Sequence, residues 1–458
     1  MRAKAFTLKL HCDKGEVTVM KTCAKQVKQA KKIKWWQLSL IGVGCTIGTG
    51  FFLGSAIAIQ RSGPMILLLF VLAALATYIV YDALSSMTSA DPQKGSFRTY
   101  AKKAYGRWAG FSNGWVYWTS ELLIMGSQLI AISIFAQFWF PNLPLWIMSS
   151  VFSVLGIGVI ITGVVGFEKV ENVFGAMKIA AILMFIIICF LALSGVFPDV
   201  SAERSFPLTM EGFFPEGFKG VWTGFIFVLY AFAGIEVMGI MSNELEDTKQ
   251  AAKAGRVMIS VLTIIYLLSI GLAVWISPLD SFSTDESPFI MVLQQFNFTV
   301  ITHIFNGVLI IGGFSTMVAS LYGITTILTS LAEDRDAPKI FAKTGFRDVP
   351  YYSVLVTAIG LVGSIVVALL LPDKIYEYIT TAASLMLLYI WIFILYSYHK
   401  LIKITKFSEI KRWIGIGLLL IGIVGTLFDQ TARIGFFISF GFIAIIATVT
   451  FFMRKKWH

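Results

Sequence analysis

Ile41-Gly42-Val43-Gly44-Cys45-Thr46-Ile47-Gly48-Thr49-Gly50-Phe51 sets four glycines and two threonines inside one apolar run. Each glycine costs an α-helix ~1 kcal/mol against alanine, so this segment resists staying helical. A second run, Tyr230-Ala231-Phe232-Ala233-Gly234-Ile235-Glu236-Val237-Met238-Gly239, repeats the small-residue break and carries an acidic residue two positions past Gly234. In hydrocarbon, backbone groups freed by such a break need partners. Either a neighbouring helix packs on the smooth glycine face, or the chain unwinds around a polar guest. The pairing favours unwinding, because Gly-interrupted segments at corresponding places in two halves point to a transporter binding site.

The surrounding sequence is membrane-like throughout. Of 458 residues, 57% are hydrophobic and 14% charged, with a mean hydropathy of +0.79; a soluble chain carries about 25% charged residues. Apolar runs near the length that crosses ~30 Å of hydrocarbon fall at 38–59, 65–87, 109–138, 145–166, 171–196, 218–240, 257–277, 298–330, 351–371, 375–399, 413–428 and 434–453. That predicts an all-α polytopic membrane protein of about 12 spans, with no room left for a soluble domain. The two interrupted spans are the first and the sixth, five apart, as an inverted five-plus-five repeat requires. The eighth run is too long for its span and is expected to continue into the cytoplasm.

Charge sets the expected orientation. With the termini and alternate loops on one side, that side holds 31 of 37 Lys/Arg, five lie opposite, and Lys178 lies within a span. The positive-inside rule then places both termini in the cytoplasm of a cell membrane. The net charge of +11 is thus a topology signal, and no nucleic-acid partner is expected. Residues 1–34 read as a basic cytoplasmic tail, not a secretory signal, since ten Lys/Arg precede the first span. Lys14-Gly15-Glu16-Val17 is compatible with a purine-rich bacterial ribosome-binding site, which makes Met20 a candidate translation start. Cys12, Cys23, Cys45 and Cys189, with four scattered histidines, form no metal or disulfide spacing. No metal, cofactor or enzymatic centre is expected, and nothing in the sequence sets the oligomeric state.

Further stretches carry a family likeness. Ile47-Gly48-Thr49-Gly50-Phe51-Phe52-Leu53-Gly54, Gly95-Ser96-Phe97-Arg98-Thr99-Tyr100, Gly114-Trp115-Val116-Tyr117-Trp118, Ala231-Phe232-Ala233-Gly234-Ile235-Glu236 and Asn243-Glu244-Leu245-Glu246-Asp247 occur in that order. Ser287-Pro288-Phe289 and Leu331-Ala332-Glu333-Asp334-Arg335-Asp336-Ala337-Pro338-Lys339 complete the set. From about Trp35 through the tenth span the chain resembles the amino acid permeases of the amino acid–polyamine–organocation superfamily, in its amino acid transporter branch. The resemblance implies a leucine-transporter-like fold with repeats over roughly 35–196 and 215–400. Two peripheral helices would fill 401–453, ahead of a short tail at 454–458. It also implies amino acid transport by alternating access. Thr49 and Gly50 would hold the substrate carboxylate, carbonyls of Thr46 and Ala233 its ammonium, and Tyr230 or Phe232 would close over it. Ile47, Gly48, Gly234 and Ile235 complete the expected substrate contacts. Two departures stand out. Ser85-Ser86 occupies a Gly-Glu position of many members, and Val318-Ala319 an Asn-Ser position.

Ionisable groups inside spans cost ~2.5–3.5 kcal/mol on insertion scales and are functional candidates by default. Asp82, Glu121, Lys178 and Glu236 qualify. Asp82 is near enough to a helix end to reach water. Glu121 is too deep to snorkel, so it pairs, lines a wet cavity or is protonated, and it is a candidate to face the substrate or a proton path. Lys178 either snorkels or, as the resemblance implies, reaches between the first and eighth spans where sodium-coupled relatives place a cation. Ser315 and Thr316 are its expected eighth-span partners, which suggests proton coupling without sodium. Glu236 is expected to accept N–H bonds from the unwound first span, in a structural or a coupling role. The leading reading is proton-coupled uptake of a neutral amino acid. Exchange, a cationic substrate or a transporter-like sensor are the alternatives; an embedded enzyme lacks a catalytic cluster, and a channel would not need two occluding breaks.

Overall fold

The computed structural model describes residues 32–197, 210–284, 286–345, 349–370 and 375–457. Most of the basic tail, with the candidate start at Met20, lies outside the described residues. The first expected span becomes three pieces, α1 (Trp35–Thr46), α2 (Thr49–Phe52) and α3 (Gly54–Ser62). The second is α4 (Ile66–Ala90), and a short helix α5 (Ser96–Tyr105) precedes the third, α6 (Arg107–Gln137). The fourth and fifth are α7 (Leu145–Ile161) and α8 (Val164–Leu193). After α9 (Met210–Phe213), the sixth divides into α10 (Gly217–Tyr230) and α11 (Ile235–Met241). The seventh is α12 (Ala251–Ile276); α13 (Pro288–Gln295) leads into the eighth, α14 (Thr299–Glu333). The last four are α15 (Tyr351–Leu370), α16 (Ile375–Leu401), α17 (Lys406–Gly425) and α18 (Gln430–Arg454).

All twelve expected spans are helical. By length and composition, eight stretches among the described residues are apolar and long enough to cross a bilayer, and Thr49–Ala90 among them joins the far half of the first span to the second. Leu145–Ile161 and Tyr351–Gly363 are shorter apolar helices. The eighth helix continues unbroken for 35 residues, about 52 Å at 1.5 Å per residue, so it projects well past the hydrocarbon. Large apolar side chains face outward on the rim, with Val154 70%, Phe437 62% and Val362 59% exposed. A patch of that extent is a lipid-facing surface.

One boundary differs consequentially from the sequence reading. The fourth and fifth spans part at Gly163, whose φ of +81° ends α7 early. The fifth helix therefore begins at Val164, seven residues before the expected 171, and two further turns enter the bundle.

Charged networks tie the helix ends together. On the Lys/Arg-rich face, Arg98 of α5 is fully buried and donates from Nη1 to Asp334 (2.7 Å) and from Nη2 to Asp336 (2.8 Å). Arg107 Nε also donates to Asp336, at 2.7 Å. Two of the quoted sequence stretches thus meet as one ionic knot. On the same face Ile33 bridges to Leu245, donating to Glu244 O and accepting from Glu246 N–H. That fastens the start of α1 to the loop after α11. On the opposite face Arg61 pairs with Glu377 (2.7 Å) and Asp429 (3.2 Å), joining α3, α16 and α18. Asp82, expected to reach water, keeps a partly exposed side chain and also pairs with Lys411 of α17.

Candidate substrate and coupling site

The first break is two residues long. Ile47 and Gly48 are extended, with φ, ψ of −70°, 104° and −153°, −155°. Thr46 therefore ends one half-helix and Thr49 begins the next. The second break is a turn over 231–234 that closes on Gly234, at φ +113°. Polar side chains from neighbouring helices reach carbonyls at both breaks: Tyr266 OH donates to Ala231 O (3.1 Å), and Tyr376 OH to Thr49 O (3.0 Å), which also accepts from Leu53 N–H. Such partners are what an interrupted helix needs in lipid. Glu236 differs from expectation. It accepts from Gly234 N–H of its own span (3.0 Å) and from Trp391 Nε1 of α16, so it braces the second break without touching the first.

The breaks face each other across a narrow cavity with about 370 Å³ of atom-free space, only about 20 Å³ of which admits the centre of a water molecule. An amino acid must part its walls to enter. Thr46, Gly48, Thr49 and Gly50 form one wall and Tyr230, Ala233 and Gly234 the facing one. The Oγ1 atoms of Thr46 and Thr49 are buried without a partner, two polar handles aimed at no protein group. Ile47, Phe232 and Ile235 are fully buried but do not line the cavity. Phe232 packs edge-on against Phe70 and Tyr266, which leaves Tyr230 as the aromatic residue at the cavity. Its hydroxyl is 3.1 Å from Ser127 Oγ.

Close approach explains the glycines. A Cβ on Gly50 would lie 2.7 Å from the Tyr230 ring, and one on Gly48 2.5 Å from the Thr316 side chain. At Gly234 it would lie 2.8 Å from the main-chain oxygen of Cys45, which no rotamer change relieves, and its φ disfavours any side chain. Gly234→Ala is expected to cost about 1–3 kcal/mol of strain. Uptake below a tenth of the parent level, with a lowered melting midpoint, is the outcome to look for in reconstituted protein; parent-like uptake would mean that the two breaks are not packed this tightly.

The third span contributes Glu121, one of whose expected settings was a cavity, together with Ile124 and Gln128, which the sequence reading missed. All three line the cavity, a stripe at helical spacing (i, i+3, i+7) legible in retrospect. Thr316 donates to Gln128 Oε1 and faces the cavity, while its neighbour Ser315 turns away to α8. Of the two expected eighth-span partners, only Ser315 meets Lys178. Ala319 lines the cavity and Val318 does not.

Lys178 is fully buried and does not snorkel. Its Nζ donates to Gly44 O, near the end of α1, and to Ser315 Oγ at 2.8 Å. Ser315 Oγ in turn donates to Glu171 Oε2, also at 2.8 Å. Helices α1 and α8 approach closely enough for this because glycine meets glycine: a Cβ on Gly175 would be 3.3 Å from Gly44 Cα.

A helical bundle whose two interrupted spans face each other around a narrow, partly polar cavity has the architecture of a membrane transporter. Residues 37–454 match the amino acid permease family, and the chain belongs to that family. An uncharacterized Bacillus subtilis transporter, YcgH, is 50% identical over 93% of this chain and 95% of its own. The aromatic amino acid transport protein AroP of Corynebacterium glutamicum is 30% identical, covering 90% and 93%. The gamma-aminobutyric acid permease of Bacillus subtilis is 28% identical, covering 84% and 83%. The protein is a multi-pass membrane permease with bacterial relatives.

Proposed function

We propose that this permease takes up a neutral amino acid together with a proton, by alternating access and without sodium. The basic face lies in the cytoplasm with both termini. The transport core covers residues 35–400 as two inverted repeats, roughly 35–196 and 215–400, and 401–453 form a peripheral pair. The observation that carries this reading is the buried Lys178 ammonium, held between the broken first span and the eighth span. A fixed cation there supplies the charge that a bound sodium ion would, and it changes charge only by exchanging a proton.

The substrate carboxylate is taken by the N–H groups of Thr49 and Gly50, where a helix start leaves donors unpaired and its dipole favours negative charge. The ammonium is taken by the Thr46 carbonyl at the end of α1 and the Ala233 carbonyl in the turn after α10. Ile124, Val237 and Ala319 line the cavity and suit an apolar side chain. The AroP relatives, by their name, carry aromatic amino acids, which fits that preference. Glu121 on the same cavity is the observation that favours a cationic substrate instead.

Thermal-shift measurements against the twenty amino acids distinguish the two, since a ligand that binds only the native state raises apparent stability. Neutral amino acids are expected to raise the midpoint and lysine or arginine to leave it unmoved. In proteoliposomes an inward acid gradient should drive accumulation and a sodium gradient should not. The reverse pattern would refute proton coupling, and counterflow that ignores the acid gradient would favour exchange.

A further inference from the structure

Glu171 lies outside the ion-pair knots and outside the cavity between the breaks, yet it is fully buried. Its Oε2 accepts from Ser315 and its Oε1 has no partner. A buried carboxylate costs free energy unless it is paired or protonated, so an oxygen left open here asks for a use. Around Glu171 stand Lys178 on its own helix, Ser315 of α14, and Gly44 with the Cys45 thiol of α1. One turn toward the basic face, Phe167 stacks on Tyr322 of α14, with centroids 4.4 Å apart and planes 6° apart. Both rings line a vestibule that admits water centres over about 430 Å³ and is bordered by Lys94, Glu244 and Glu333. The order along α8 is thus vestibule, aromatic pair, carboxylate, ammonium.

We infer that Glu171 is the relay through which Lys178 exchanges its proton with the basic-face vestibule. The hydrogen bonds already run in the required direction. Lys178 gives an Nζ proton to Ser315 Oγ as the serine's own hydroxyl proton passes to Glu171 Oε2. The amine ends neutral, the hydroxyl whole and the carboxylate protonated, so one proton has moved and only N–H and O–H bonds have changed. Release follows when Phe167 and Tyr322 part and admit vestibule water to the carboxyl group. Glu171 is therefore a positioning and relay residue with no contact to substrate. The inference rests on the proton-coupled reading above.

The test uses full-length protein in liposomes that enclose a pH-sensitive dye, fed a radiolabelled mixture of the twenty amino acids under an inward acid gradient. The parent should accumulate label and acidify the lumen. Glu171→Gln is expected to lower both at least tenfold while counterflow, which needs no net proton transfer, falls less than threefold. Glu171→Asp should regain at least a third of the accumulation, and Ser315→Ala should reproduce the Glu171→Gln pattern without altering a charge. Glu171→Gln protein that accumulates within twofold of the parent overturns the inference. So does one that loses counterflow and accumulation in equal proportion, since Glu171 would then be only a structural prop. A parent protein that accumulates label without acidifying the lumen brings down the proton-coupled reading instead.

Discussion

Lys178→Met is expected to abolish accumulation driven by an acid gradient, by at least a hundredfold, while substrate binding survives. Lys178 holds Gly44 O, in the last turn of α1, and Ser315 of α14 at once. It is thus a covalently fixed charge between two helices that both line the cavity. Methionine keeps the stem's bulk and loses the ammonium, so the cavity between the breaks keeps its walls while the charge proposed to couple transport is gone. Melting midpoints with and without amino acid report binding, and uptake under an acid gradient reports coupling. Accumulation near the parent level would show that Lys178 is only a structural pin.

A stability consequence separates Lys178 from its neighbour. Removing one partner of a buried charged pair typically costs about 3–5 kcal/mol, because the other charge is left uncompensated. Lys178→Met leaves the Glu171 carboxylate without a cation beside it. Adding Glu171→Gln neutralises that group, so the double variant should melt higher than Lys178→Met alone. A double variant that melts lower would mean that the two side chains are not energetically linked.

The second large effect is expected at the ionic knot on the basic face. Arg98→Ala removes a fully buried guanidinium that serves Asp334, Asp336 and the Ser330 hydroxyl together. Asp336 is itself fully buried on its side chain and would keep only Arg107. The expected loss is again about 3–5 kcal/mol, read as a fall in the melting midpoint of detergent-solubilised protein. Arg98→Lys should recover only part of it, since an ammonium cannot make the forked contact with two carboxylates. Burial raises the carboxyl of Asp334, but the Lys102 and Arg98 contacts outweigh it and hold the group below the ordinary aspartate range. A folded-state value depressed in this way contributes stability above the unfolded value of about 3.9 that is lost as pH falls through the folded one. The gap in midpoint between parent and Arg98→Ala should therefore stay constant across neutral pH and shrink only in strong acid. Equal midpoints for parent and alanine variant at neutral pH would reduce the knot to a surface feature.

Much of this was legible in the residues. The glycines of 41–51 and 231–234 located both breaks, because glycine destabilises helix wherever it sits, independently of its neighbours. Apolar run length marked the long apolar helices for the same reason: hydrocarbon thickness is a property of the solvent. Lys178 stood out because an ammonium inside an apolar run is rare on insertion cost alone. Other positions were harder. Phe232 looked as suited to gating as Tyr230, since both flank the break; only the packing of Phe70 and Tyr266 around it shows which ring faces the cavity. Asp82 and Glu236 find their partners in Lys411 and Trp391, more than a hundred residues away in sequence.

Glu171 shows where the division falls. The expected span began at residue 171, and its first carboxylate was not singled out among the ionisable groups inside spans. Gly163 ends the preceding helix early, α8 starts at Val164, and Glu171 is carried two turns into the bundle. The amino-acid sequence by itself determined that the chain crosses the membrane many times, where its two helices break and that a lysine lies within a span. Only the tertiary structure decided which side chains face the cavity, which charges pair, and that a second ionisable group stands beside Lys178. Helix content and burial in lipid follow from local composition, whereas partners are set by the rotation and register of each helix, which no single segment encodes.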